Sequence, residues 1–328
     1  MDVTTTEWLI TVGVTIAVLL FDIVIVARRP HEPTLKECAI ALSFYVGSAL
    51  LFGLWILSFH GHDHGIEFYT GWLVEYSLSI DNLFLFIIIM ASLNVPRKYQ
   101  QEALMVGIIL ALIFRAIFIA LGKVAIDNFS WVFYAFGALL IYTAYSMVKS
   151  HRRHDDETRK ENRLVTLSRK HLNATDEYHG LKLYIKRDGA RTITPMFIVI
   201  LALGSTDIMF ALDSIPAIYG ITQEPYLVFT ANVFALMGLR QLYFLLGDLL
   251  QKLVYLSLGL SFILAFIGVK LVLHALHKNE LPFINDGNHL PVPEINSLMS
   301  LSVVIVTLAV TAIASLAKSR SQVGARQD

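Results

Sequence analysis

The sequence has very little cysteine: one residue, Cys38, in 328. That excludes an internal disulfide framework and any thiolate metal cluster within a single chain, and leaves Cys38 to act as a small apolar residue. Charge is scarce too. Asp, Glu, Lys and Arg make up 16% of the chain, against about 25% for a typical soluble domain. The 26 basic and 26 acidic residues cancel, so no net positive charge argues for a nucleic-acid partner. Neither H-E-x-x-H nor G-x-S-x-G occurs, which removes the common metalloprotease and serine-hydrolase patterns. The chain reads as no enzyme; only paired aspartates, Asp81 with Asp213, would mimic a protease dyad. No basic segment precedes the first apolar run, so that run reads as a retained helix rather than a cleaved signal.

What is abundant is long hydrophobic runs. Hydrophobic residues make up 55% of the chain and mean hydropathy is +0.61, so the charges must be gathered into loops. Nine stretches reach the length of about 20 residues that a helix needs to cross hydrocarbon. They cover 8–27, 37–59, 68–93, 102–122, 129–148, 195–219, 226–247, 254–274 and 297–317. In lipid the backbone must satisfy its own hydrogen bonds, so the expected fold is all-α, a polytopic transmembrane helix bundle. Twenty-one of the 26 basic residues fall on one side of this pattern; only Lys123 and Lys278 fall on the other. The asymmetry predicts the N-terminus outside and the C-terminus in the cytoplasm. The one long loop, Ser150 to Thr192, mixes both signs of charge (HRRHDDETRKENR) and reads as a solvated connector.

Two of the spans carry related acidic motifs. EYSLSIDNLF in the third places Glu75 and Asp81 six residues apart; STDIMFALDSIP in the sixth does the same with Asp207 and Asp213. Each is followed by a span with arginine and, seven residues on, glycine: RAIFIALG from Arg115 and RQLYFLLG from Arg240. Each unit then closes on a glycine-containing span with Val-Lys. Spans three to five therefore match spans six to eight with opposite orientation, an inverted 3+3 repeat of the kind that holds substrate at its interface in secondary transporters. The predicted organisation is residues 1–66 (two spans), 67–149 (first repeat), 150–193 (cytoplasmic loop), 194–275 (second repeat) and 276–328 (an extracytoplasmic loop, the last span and a tail).

A carboxylate at the bilayer centre costs roughly 2.5–3.5 kcal/mol on insertion scales, so four would cost on the order of 10 kcal/mol if ionised and unpaired. Protons, basic partners or a bound cation must offset this. Arg115 and Arg240 are internal cations, and two structural ion pairs are one reading; Asp22 adds a further acid near the end of the first span. Residues six apart lie about 9 Å apart along a helix and roughly 120° round it. Glu75 therefore shares a face with Ser79 and Asn82 while Asp81 points elsewhere, and Asp207 aligns with Ser214. Pro216 removes the amide that would bond the Leu212 carbonyl, and the length of spans three and six leaves room for a kink or unwound stretch. The expected site is Asp81 meeting Asp213, with Asn82, Ser214 and a freed carbonyl beside them, Glu75 and Asp207 as further ligands or proton carriers, and Arg115 and Arg240 holding the empty site. An all-oxygen set suits hard divalent cations such as Mn²⁺, Mg²⁺ and Ca²⁺ without choosing among them. The loop HGHDHG, 60–65, could collect a transition metal or simply be solvated.

At these motifs the sequence resembles the TerC family of integral membrane proteins, which includes Alx-type manganese exporters. The resemblance runs from about Asp22 to Lys270. It rests on E-x5-D-N (Glu75, Asp81, Asn82), on D-x5-D-S-I-P-A (Asp207, Asp213, Ser214, Pro216) and on TANVFALMGLRQLYFLL around Asn232 and Arg240. It implies a bacterial inner-membrane location, Mn²⁺ as a transported ion rather than a resident cofactor, and either efflux or metal loading of exported proteins beside a secretion partner. It also implies a historical link to tellurite resistance. One departure stands out: Gly204 occupies the position where many members carry a glutamate three residues before the first aspartate of the second motif.

Overall fold

The structure is a computed structural model and describes residues 1, 3–28, 34–129, 131–151, 178, 180–187, 190–246, 255–279, 284–285 and 288–324. Five helices come first: α1 (Thr5–Arg28), α2 (Leu35–Phe59), α3 (His62–Ser92), α4 (Arg97–Asn128) and α5 (Val132–His151). A two-stranded antiparallel hairpin follows, β1 (Tyr184–Arg187) with β2 (Ala190–Ile193), Tyr184 opposite Ile193. Then come α6 (Pro195–Tyr219), α7 (Pro225–Leu236), α8 (Leu239–Leu246), α9 (Leu256–His277) and α10 (Ser297–Gly324).

Local chemistry sets several boundaries. Thr34 and Glu37 form a reciprocal capping box at the start of α2. Pro195 and Pro225 open α6 and α7, where the missing amide costs nothing. Among the described residues, eight helices are long and apolar enough to cross a membrane, with α7 and α8 counted together over 225–245. The all-α polytopic fold is therefore as expected. The first of the nine expected spans is helical as α1, but the Asp22 side chain lies outside the described residues, as does most of the loop at 150–193.

The helix ends gather at two faces. At one, the N face, the Met1 ammonium meets Glu224, His60 meets Glu7, and Tyr134 bonds to Asn279. At the other, the basic face, Tyr178 bonds to the Leu93 carbonyl, Tyr243 to Gln100, and the Tyr255 amide to Ser315. Packing between helices is crosswise: α3 lies against α7, α4 against α6, and α5 against α9 in the most extensive pairing described. Glycine explains how close α5 and α9 come. A Cβ on Gly137 would sit 2.7 Å from Val272 Cγ2 and 2.9 Å from the Gly268 carbonyl, so only a missing side chain permits this backbone approach.

Two apolar cores result. The larger one fills the N-face half with Phe68, Ile218, Tyr219, Tyr226 and Leu227, all nearly inaccessible, and continues along the α5–α9 pair to Ala144 and Leu260. The smaller fills the basic half around Phe86, Leu104, Met196, Leu203 and Tyr243. The charged residues lie between them.

Two local expectations change. Neither α3 nor α6 unwinds; both are helical throughout, and α6 passes through Pro216 without interruption. The break falls one span later, at Met237 and Gly238 between α7 and α8. Gly238 has φ +87°, a conformation that side chains with Cβ adopt only at a cost, and it packs against Leu42 and Tyr45 of α2. A break there leaves the last carbonyls of α7 and the first amides of α8 outside the regular helical ladder.

Candidate functional site: a buried charged cluster

Near the middle of the bundle, four helices each contribute one polar side chain to a common point. Arg115 of α4, 1% exposed, places Nη1 2.5 Å from Glu75 Oε2 of α3 and donates to Asn232 Oδ1 of α7 at 3.0 Å. Its Nη2 lies 3.7 Å from Asp207 Oδ1 of α6. Glu75, Asp207 and Asn232 are likewise buried. One guanidinium thus faces two carboxylates, and if both are ionised the cluster carries a net negative charge. Such a group stays in an apolar interior only when its charges are paired and hydrogen-bonded.

The pairing is incomplete. Glu75 Oε1, Asp207 Oδ2, Arg115 Nε and Nη2, Asn232 Nδ2, Ser79 Oγ and Ser214 Oγ are all buried without a hydrogen bond inside the protein. The Ser214 hydroxyl comes close to Glu75 but outside hydrogen-bond geometry. So many unsatisfied atoms around one point call for a ligand, a water or an ion. A cavity adjoins them, lined by Ser79, Asn82, Arg115, Asp207 and the apolar Phe86, Ile108, Ala111, Leu236 and Leu239. It measures about 10 Å³ to the centre of a water-sized sphere, room for roughly one water or one ion. Leu236 and Leu239 flank the α7–α8 break, so the loosened backbone borders the cavity.

The sequence-derived residues divide into two groups. Glu75, Asp207, Asn232 and Arg115 are brought together, with Ser214 and Asn82 at the margin. Asp81 and Asp213 are tied to different helices instead of to each other. Ser257 of α9 donates to Asp81 Oδ1 at 2.8 Å, and Thr143 of α5 donates to Asp213 Oδ1 at 2.9 Å. The physical reason is the one that separates residues six apart on a helix: with Glu75 and Asp207 turned inward, Asp81 and Asp213 face the neighbouring helices. Arg240 is buried on α8, within electrostatic reach of Cys38 on α2; the ion pairs described at the centre belong to Arg115. Gly204 is buried beside Leu110 and Phe114, with ordinary contact distances for an added Cβ. The histidine loop is dispersed, since His60 turns to Glu7 at 3.2 Å and His64 to Glu67 at 3.4 Å. Among the described residues no three His, Cys, Asp or Glu side chains are grouped to hold a metal.

Thr143 and Ser257 were not singled out from the sequence. Hydroxyls are common in apolar helices, where many bond to their own backbone, as Thr70 and Ser77 do here; nothing local marks Thr143 and Ser257 as the ones that reach a carboxylate on another helix. The break at Gly238 had a signal, a glycine inside an apolar run.

A polytopic helix bundle with a buried, half-satisfied charged cluster at mid-depth defines the class as an integral membrane protein. The chain belongs to the integral membrane protein TerC family, whose model matches residues 60–323. An uncharacterized membrane protein of Mycobacterium tuberculosis is 42% identical over 96% of this chain and 80% of its own length. One of Myxococcus xanthus is 36% identical over 95% of this chain and 92% of its own. One of Rickettsia felis is 36% identical over 82% and 88%. No solved structure matches.

Proposed function

We propose that this protein exports a divalent cation, with Mn²⁺ as the ion, across a bacterial inner membrane by alternating access. One observation carries the reading: two buried carboxylates share a single arginine beside an ion-sized cavity, with oxygen atoms of both carboxylates left unsatisfied. Arg115 occupies the position that a cation would take between Glu75 and Asp207. In the proposed cycle the ion displaces the guanidinium, and two carboxylates then neutralise its charge. Asn232, Asn82, Ser79 and Ser214 complete an oxygen shell suited to a hard cation. Asp81 and Asp213, one helix face away, serve as further ligands or proton carriers in other states of the cycle.

The crosswise packing supports an inverted repeat, in which α3–α5 and α6–α9 exchange roles as the site opens to alternate sides. The side bearing most lysine and arginine is assigned to the cytoplasm, which puts the N-terminus outside.

The test is uptake of Mn²⁺, Ca²⁺, Mg²⁺ and Zn²⁺ by inside-out proteoliposomes carrying wild type or Asp207→Asn. Selective Mn²⁺ uptake that the substitution removes supports the reading. No uptake of any ion by folded protein overturns it and favours the partner-dependent role, in which the protein assists metal loading of exported proteins.

A further inference from the structure

The central cavity is one-sided. Along α3 its lining residues Ser79, Asn82 and Phe86 all lie beyond Glu75 toward the basic face, and Ile108 and Ala111 precede Arg115 on α4. The opposite half is closely packed. Gly71 faces Ile218 of α6 and Ala231 of α7, a Cβ on Gly122 of α4 would sit 2.9 Å from Tyr219 Cε2, and Phe68, Ile218 and Leu227 have no exposed surface. Tyr219 spans to α4, donating to the Ile119 carbonyl at 2.7 Å.

Above this seal sits one carboxylate that the charged cluster does not use. Glu67 lies two turns before Glu75 on α3, about 12 Å along the helix. Its Oε2 accepts from Thr222 Oγ1 at 2.8 Å, in the connection between α6 and α7, and its Oε1 accepts from Ser297 Oγ at 3.3 Å, at the start of α10. His64 Nδ1 stands 3.4 Å from Oε2, and Lys270 on α9 is near enough to feel its charge. Each carboxylate oxygen therefore binds a different element: the Thr222 bond ties α3 to the α6–α7 connection, above the α3–α6–α7 seam where Gly71, Ile218 and Ala231 meet, and the Ser297 bond ties α3 to α10 beside it.

We infer that Glu67, with Thr222 and Ser297, is the latch that holds the N-face half of the bundle shut over the central site. The Thr222 bond, at 2.8 Å, is the main tie, since a carboxylate acceptor strengthens a hydrogen bond, and the longer Ser297 contact is the weaker one. They are also able to release, because the Glu67 side chain is 19% exposed and water can replace both donors. The latch belongs to a transport cycle only if the exporter reading holds, but the closure itself can be measured without transport.

A single reporter cysteine, Ala231→Cys in a Cys38→Ala background, sits within the seal itself, where Ala231 is buried. Its rate of maleimide labelling is followed in full-length protein in nanodiscs. Thr222→Val keeps the shape of the side chain and removes the donor; Glu67→Ala removes the acceptor. Each is expected to speed labelling about tenfold, the scale set by losing a hydrogen bond to a charged group. A second reporter, Ala103→Cys in the basic half, should keep its wild-type rate. Unchanged labelling at position 231 in both variants overturns the latch. So does equal acceleration at 231 and 103, because the contact would then be general packing.

Discussion

Arg115 and Glu75, forty residues apart in sequence, meet at 2.5 Å in the middle of the bundle with almost no exposure of either side chain. The pair is the tightest point of a cluster that Asp207 and Asn232 share. Its imbalance, one cation against two carboxylates, separates it from a simple structural ion pair.

That imbalance orders the cost of substitution. Arg115→Met strands Glu75 and Asp207 together without a cation, whereas Glu75→Gln keeps an acceptor and leaves Arg115 with Asp207. Removing one partner of a buried pair costs about 3–5 kcal/mol; Arg115→Met should lie at that upper end and Glu75→Gln well below it. Thermal unfolding of both variants in detergent, followed by circular dichroism, checks the order. A larger loss for Glu75→Gln would show that Asp207 plays little part in holding Arg115.

Asp213 lies outside the central cluster but is oriented by Thr143. Asp213→Asn is expected to abolish Mn²⁺ transport while the protein still inserts and purifies as wild type. Thr143→Val, which removes only the donor, should slow transport by about tenfold through loss of one charge-assisted hydrogen bond. Proteoliposome flux is the measurement; normal flux in Asp213→Asn would remove this residue from the transport path.

Gly137 is the steric key of the α5–α9 contact. Gly137→Val puts atoms within 3 Å of Val272 and the Gly268 backbone, and overpacking of this kind costs about 1–3 kcal/mol. The unfolding midpoint should fall. Because α5 carries Thr143 and α9 carries Ser257, transport should fall with it. An unchanged midpoint would mean that the two helices separate without penalty.

Gly238→Ala tests the break between α7 and α8. The backbone there has φ +87° and a Cβ would lie 3.1 Å from Leu42. An L-residue forced into this region costs about 1–2 kcal/mol. Reduced stability is expected, together with altered metal affinity at the adjoining cavity, measured by calorimetry on the purified protein. Wild-type behaviour in both would make the break incidental.

The helices themselves were legible in the sequence because lipid leaves the backbone no alternative: a run of about 20 apolar residues satisfies its hydrogen bonds as a helix or not at all. The two acidic motifs were legible for a related reason, since carboxylates in such runs are too costly to be accidental. Composition could not say which carboxylates meet. The spacing suggested Asp81 with Asp213, yet the structure turns Glu75 and Asp207 inward onto Arg115 and hands the other two to Ser257 and Thr143. A helix of fixed pitch separates residues six apart, but its rotation about its own axis is set by neighbours, here by glycine contacts and two apolar cores that no local pattern encodes. The choice of Gly238 over Pro216 as the break was also made by packing, although a glycine inside an apolar run marks the position in the sequence. Proline only removes one donor from a helix that packing can still hold straight, whereas a glycine pressed against α2 takes up a backbone conformation that ends the helix. The chain alone determined what must be buried; tertiary packing decided which buried charges face one another.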